Sequence, residues 1–390
     1  MDVQANPVYR EAIAKAREIA KAVVMPNAEK HDREYSVPTE MISAMFDADL
    51  LKLCVPKSLG GKGTGVMQGV DPLAFLLVIE EVGRVDMAAS HVFQVHSHSC
   101  QMLAHGGTVE QVARWLEPTV KSGAVLSWTG SEPGRTARGQ FKMVSEAKRH
   151  DGGYLLNGIK NYGTNASIGE WNIVSVGTEG MEPVEGFLMV LVPRGAKGFT
   201  VDESWWRPTG MRSCVSPKLT LENLEVPDRD VLVGPGYYPT CQAGSRWHLG
   251  FGANHLGAAQ GLLDFTVEYL PKRGTTGSPH SQRSIGEMRM RIAAARALLY
   301  QAAEMWASRD KIRQAEELSL MAKTVCIGVA EWMVNETIRV VGTTALLETF
   351  PLPRMIRDIH VHSTHANLDN TAQSLGKAIL GMNYDPTQQQ

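Results

Sequence analysis

The spacing of apolar residues changes twice along this chain, from a helical repeat to a strand repeat and back, and that order limits the fold more than any single motif does. From Pro7 to about Leu116 the pattern is helical. Ala12, Ala14, Ala16, Ile19, Ala20 and Val23 are spaced for one amphipathic helix, and Met41 to Leu51 repeats apolar residues at intervals of three and four. Between Gly123 and about Val233 the stretches Gly153–Gly158, Trp171–Val176, Gly186–Val192 and Lys218–Val226 read as strands separated by Gly, Pro and charged turns. Helices return from Trp247 to Leu380, with long ones expected over Ile285–Met305 and Ala315–Val341, the latter closing at Gly342. The expectation is an α+β chain of three parts: a helical domain over 1–120, a β-domain over 121–233 and a helical domain over 234–390.

Charge excludes some functions. With 39 basic and 41 acidic residues, a formal net charge of −2 and no block of like charge, the chain lacks the footprint of a nucleic-acid or membrane-surface binder, so small molecules are the expected partners. No apolar run is long enough to span a bilayer, and Met1-Asp2-Val3-Gln4 does not open a signal peptide, which predicts a cytoplasmic protein. Cys54, Cys100, Cys214, Cys241 and Cys326 are odd in number, widely spaced and never in a CxxC pair, so neither a disulfide framework nor a zinc site is expected. Lys57-Ser58-Leu59-Gly60-Gly61-Lys62-Gly63 is glycine-rich, but no GK[ST] element follows and no strand leads in; it reads as a connection between helices.

Two segments carry chemistry. An isoalloxazine ring needs a flat apolar surface on one face and hydrogen-bond donors at the edge that becomes electron-rich on reduction. Trp128-Thr129-Gly130-Ser131-Glu132-Pro133-Gly134 supplies a ring, hydroxyls and a close backbone approach, and Tyr162, Gly163 and Thr164 supply a second ring and hydroxyl. Taken singly, each also reads as a turn beside a packed aromatic.

Together these segments resemble the flavin-cradling segments of the acyl-CoA dehydrogenase family, and the resemblance extends over nearly the whole chain. Trp206–Ser213 is similar to the family's "G-x-R-x-S" stretch, Val226-Pro227 to its "V-P" turn, and Val341–Thr344 followed by Pro351–Asp358 to "GGxG…YP…R…RD". The resemblance implies an N-terminal helical domain, a central β-barrel or sandwich domain and a C-terminal four-helix bundle. It also implies an FAD cofactor and assembly as a homotetramer or homodimer, with FAD crossing a subunit contact. It assigns Trp128, Gly130, Ser131, Tyr162 and Thr164 to the flavin ring, Arg273 to the pyrophosphate of a neighbour's FAD, and Arg339 and Gly342 to its ADP portion.

Departures from the family pattern bear on the reaction. The family's catalytic base usually stands eight residues after the aspartate of the "RD" pair, and counting from Asp358 gives Ala366. The alternative base position on an earlier helix falls at Trp247, with Arg246 and His248 beside it, and neither a methyl group nor an indole can take a proton. Glu348 or Asp369 would serve only after a large shift in alignment. Histidines stand nearby instead: His360, His362 and His365 near the chain end, and His91, His96 and His98 on an N-terminal helix. Residues two apart on a helix point about 200° apart, so His360 and His362 cannot share a metal ion, and none is expected.

This pattern resembles the dibenzothiophene-monooxygenase-like branch of the fold, which uses reduced flavin and O2 and carries "RD…H…H" near the flavin; Ala366-Asn367 replaces that branch's "DP". Imidazole, with an unperturbed pKa of about 6.5, suits proton handling there, whereas a carboxylate would repel developing negative charge. The resemblance implies an oxygenase or oxidase with His365, His362 and His96 as catalytic candidates. Trp205, Trp206 and Trp247 near the expected pocket rim suit a flat substrate, either a CoA thioester or a free cyclic or aromatic molecule. A separate flavin reductase or electron acceptor is implied. Two alternatives stay open: an acyl-CoA dehydrogenase with a relocated base, and a silent flavin-binding subunit of a larger complex.

Overall fold

The computed structural model describes residues 3, 5–134, 141–308, 310–365 and 368–383; Ala366 lies outside them. The first third is helical: α1 (Pro7–Ile19), α2 (Met25–Glu34), α3 (Thr39–Asp47), α4 (Ala74–Gly83), α5 (Met87–Gly106) and α6 (Val109–Ser122). The starts follow local chemistry. The Asn6 side chain accepts from the Val8 and Tyr9 amides, Asp86 accepts from the Ala89 amide, and Thr108 with Gln111 forms a capping box. The single helix expected through Val23 is interrupted, because Ala20–Val24 winds as a π-helical turn between α1 and α2. Helix α5 is buried on nearly every face from Met87 to Leu103, so His91, His96 and His98 lie inside the molecule.

The middle of the chain is a seven-stranded sheet of β1 (Leu126–Thr129), β2 (Glu146–His150), β3 (Gly153–Lys160), β4 (Trp171–Thr178), β5 (Phe187–Pro193), β6 (Phe199–Asp202) and β7 (Lys218–Pro227). Strand β4 pairs with β5 along one edge, and along the other with β1 first and β2 beyond it, both in parallel. The segment between β1 and β2 therefore leaves the sheet and returns, and its first residues, Gly130–Gly134, hang at the sheet's end.

Strand β5 is apolar at successive positions because both of its faces are covered. Phe187, Met189 and Leu191 face the helical core, while Leu188, Val190 and Val192 face a second core enclosed by the β-domain.

The last third comprises α7 (Ala243–Arg273), α8 (Pro279–Met305), α9 (Ile312–Val341), α10 (Leu352–Ser363) and α11 (Leu368–Ile379). Helix α7 packs along α9 and α8 and against α4, joining the two helical regions. The β-domain is tied to α10 at Gly210, where a Cβ would collide with the Arg357 carbonyl. Next to it the Met211 amide donates to the buried Asp358 carboxylate at 2.6 Å. The "G-x-R" stretch and the "RD" pair thus form one joint. Among the described residues no helix is long and apolar enough to cross a membrane.

Candidate active site

The two flavin-type segments are brought together by the sheet. Strands β4 and β2 stand between β1 and β3 in the sheet, but the segments that follow β1 and β3 meet, where the Asn161 amide donates to the Ser131 carbonyl at 3.0 Å. Asn165, with φ 69°, ties the turn after β3 to the helical domain by donating to the carbonyls of Val92 and Leu126, both at 3.0 Å. Above these ends opens a cleft of about 610 Å³, closed on its far side by α5, α7 and α10. Trp128, Gly130, Ser131, Tyr162 and Thr164 all line it.

Each of these residues is held differently. The Trp128 indole donates to Ser175 Oγ at 3.2 Å and presents its ring edge-on to Tyr238 and Trp247. The Thr164 hydroxyl is paired with Ser216 at 2.6 Å. Tyr162 is 54% exposed in a left-handed turn, packed against Trp205 and Trp206.

Among the described residues lining the cleft, Glu132 is the only carboxylate, and it is already engaged. Its Oε1 accepts from Lys160 Nζ at 2.7 Å and the Ser145 amide at 2.9 Å, and its Oε2 accepts from the Val144 amide at 2.7 Å. Burial alone would raise its pKa, but Lys160 and the backbone donors outweigh burial and hold it below the usual range. An acid fixed as a charged, fully bonded pair is a structural group.

The helical wall carries imidazoles. His362 Nε2 lies 3.3 Å from His91 Nδ1, and its ring stands 4.8 Å from that of His255. His365, beyond the end of α10 and exposed, stacks on Phe251 at 4.4 Å. Burial pushes His91 down to about 3 and His255 to about 4, and burial with the neighbouring imidazoles holds His362 well below 6.5. These three rings are neutral near pH 7, so His362 is a hydrogen-bonding group there and not the freely titrating imidazole expected from sequence.

His96, the third catalytic candidate, lies outside this cleft. Its Nε2 donates to the Leu51 carbonyl at 3.0 Å and its Nδ1 accepts from the Leu126 amide at 3.2 Å. Both ring nitrogens are spent on joining α5 to β1. The α5 side chains that line the cleft are His91, Val95 and His98. His255 and Phe251 were not singled out from sequence, although Trp247, Phe251 and His255 are spaced four apart and share one face of α7.

Arg273, Arg339 and Gly342 form a separate group at the ends of α7 and α9. Arg273 Nη1 donates to the Val340 carbonyl at 2.9 Å beside Gly342, and Arg339 pairs with Glu336 at 2.9 Å. None of the three lines the cleft in a single chain.

The cleft fits a flavin ring. It combines flat aromatic walls with hydroxyls and with a polar atom that has no internal partner, His362 Nδ1. With the helices enclosing the sheet end, the cleft suits a planar redox cofactor. The chain belongs to the acyl-CoA dehydrogenase family: that family's N-terminal, middle and C-terminal domains match residues 7–123, 128–224 and 249–370.

It is 27% identical over 354 residues to the acryloyl-CoA reductase (NADH) of Anaerotignum propionicum, covering 89% of this chain and 87% of that one. Among solved structures it is similar to butyryl-CoA dehydrogenase from Megasphaera elsdenii, with a TM-score of 0.87, 22% identity and coverage of 97% and 100% of the two chains. It is similar also to the dibenzothiophene monooxygenase of a Paenibacillus species, with a TM-score of 0.84, 20% identity and coverage of 96% and 98%.

Proposed function

We propose that this chain is an FAD-dependent oxygenase or oxidase that works through reduced flavin and O2, acting on a CoA thioester or a cyclic or aromatic small molecule. The observation that carries this reading is the cleft's acid–base inventory: one carboxylate, locked to Lys160, facing a wall of imidazoles. Proton abstraction from carbon by a carboxylate has no free agent among the described residues there, and the sequence has Ala366 at the family's usual base position.

A bound FAD supplies the electrons for oxygen chemistry. Trp128 and Tyr162 would hold the flavin ring, and the Ser131 and Thr164 hydroxyls with the Gly130 backbone would offer hydrogen bonds to its polar edge. His365, exposed and stacked on Phe251, exchanges protons between solvent and the cleft. Neutral His362 fixes the orientation of His91, which faces the ligand. A neutral imidazole donates a hydrogen bond to developing negative charge without repelling it. Arg273, Arg339 and Gly342 meet a neighbouring subunit's cofactor in a homotetramer or homodimer. A separate flavin reductase or electron donor would supply the reducing equivalents.

The test is to photoreduce the flavin-loaded protein and admit O2 while recording its spectrum, with and without a panel of cyclic molecules and CoA thioesters. The expected result is a ligand-dependent transient during reoxidation whose decay slows about 10²-fold or more in His365→Ala. Reoxidation indifferent to every ligand and to that substitution would overturn the proposal.

A further inference from the structure

One wall of the cleft is built around Trp247. Its indole stacks on His98, with centroids 4.4 Å apart and planes at 21°, and meets Trp128 edge-on at 5.7 Å. His98 keeps its position because residue 250 is glycine; a Cβ there would run into His98 Nε2. The indole is therefore clamped and cannot turn to find a partner. It is only 4% exposed, and its Nε1 has no hydrogen-bond partner. His98 is 6% exposed and its Nε2 is likewise unpartnered. A buried N–H without an acceptor is rare in folded proteins, and this one belongs to a residue that lines the cleft.

We infer that Trp247 Nε1 is a specificity donor for a neutral hydrogen-bond acceptor, a carbonyl or its equivalent, on a flat cyclic ligand. Three observations define that class. Trp247 and the rings it touches, Trp128 and the buried, neutral His98, carry no charge, so an anion placed against this donor would lose hydration with no counter-charge from them. The neighbouring rings, Trp128, Tyr238 and Phe187, offer faces and edges suited to a planar partner. The stack with His98 sets the plane of the Trp247 donor, which suits an acceptor carried on a rigid ligand. The inference rests on the proposed oxygenase reading for the ligand's role, but the binding it predicts is measured without turnover.

The experiment compares 1-indanone with indane, near-isosteres that differ by one carbonyl, by calorimetric titration of the flavin-loaded protein and of Trp247→Phe. A purely apolar cavity would prefer indane, the less water-soluble of the two. The expected result is a preference for 1-indanone of about tenfold in the unaltered protein, the worth of one buried hydrogen bond, which disappears in Trp247→Phe while indane binding stays within about twofold. Equal affinities, no binding of either molecule, or a preference that survives in Trp247→Phe would overturn the inference. The unaltered protein alone decides the first two outcomes, so an unstable variant leaves the test intact. Binding as expected without any ligand effect on reoxidation would sink the oxygenase reading and leave this site standing.

Discussion

The two walls of the cleft bury ionisable groups in opposite ways. On the β side, Glu132 and Lys160 are almost wholly enclosed, charged and saturated with partners. On the helical side, His91, His98, His255 and His362 are equally enclosed but neutral, and three of them keep a ring nitrogen without a partner. A saturated pair can only hold a shape, whereas unsatisfied neutral groups have capacity left for a ligand. The difference assigns rigidity to one wall and recognition to the other.

Acid should separate the walls with the largest effect. For His91, His96, His98, His255 and His362 the folded-state pKa lies below the unfolded value of about 6.5, so the unfolded chain takes up protons first. Their contribution is present above pH 6.5 and is lost as pH falls toward the folded values, at up to about 1.4 kcal/mol per pH unit for each group. Asp358, raised to about 7 by burial, has the opposite sign and offsets roughly one histidine. Denaturant unfolding between pH 7 and 5 should therefore show steep loss of stability, shallower by about one proton in His255→Gln; a flat profile would break the contrast.

Next in size is Glu132→Gln, which strands a buried Lys160 and should cost about 3–5 kcal/mol in chemical denaturation. A loss under about 1 kcal/mol would remove the rigid wall from the account. His96→Ala should cost about 2 kcal/mol by freeing the Leu51 carbonyl and the Leu126 amide, with the oxygen reaction of the reduced protein unchanged. A change in that reaction would return His96 to the site. The smallest effect belongs to Trp128→Phe, where loss of the bond to Ser175 should lower stability by about 1 kcal/mol.

Much of the fold was legible because β3, β4, β5 and β7 carry aliphatic runs bounded by turn residues. Strand β2, Glu-Ala-Lys-Arg-His, was not, since only Ala147 among its side chains is buried and its pairing with β3 makes it a strand. The π-helical turn at Ala20–Val24 leaves no mark in composition. At the site, the motif segments announced their chemistry through aromatic, glycine and hydroxyl residues at a strand end. The histidines could not be sorted in the same way. Helix α5 is buried all round, so periodicity does not say whether His91 or His96 faces the cleft, and the partners that settle it, Leu51, Leu126 and His362, are remote in sequence.

The central claim is that, among the described residues lining the cleft, the one carboxylate is bound to Lys160 and does not abstract a proton from a bound acyl group. Mixing the oxidised, FAD-loaded protein anaerobically with saturated short-chain and cyclic acyl-CoA thioesters tests it directly through the flavin absorbance. The account predicts that the yellow colour persists over many minutes. Bleaching within seconds, unaffected by His365→Ala, would contradict it.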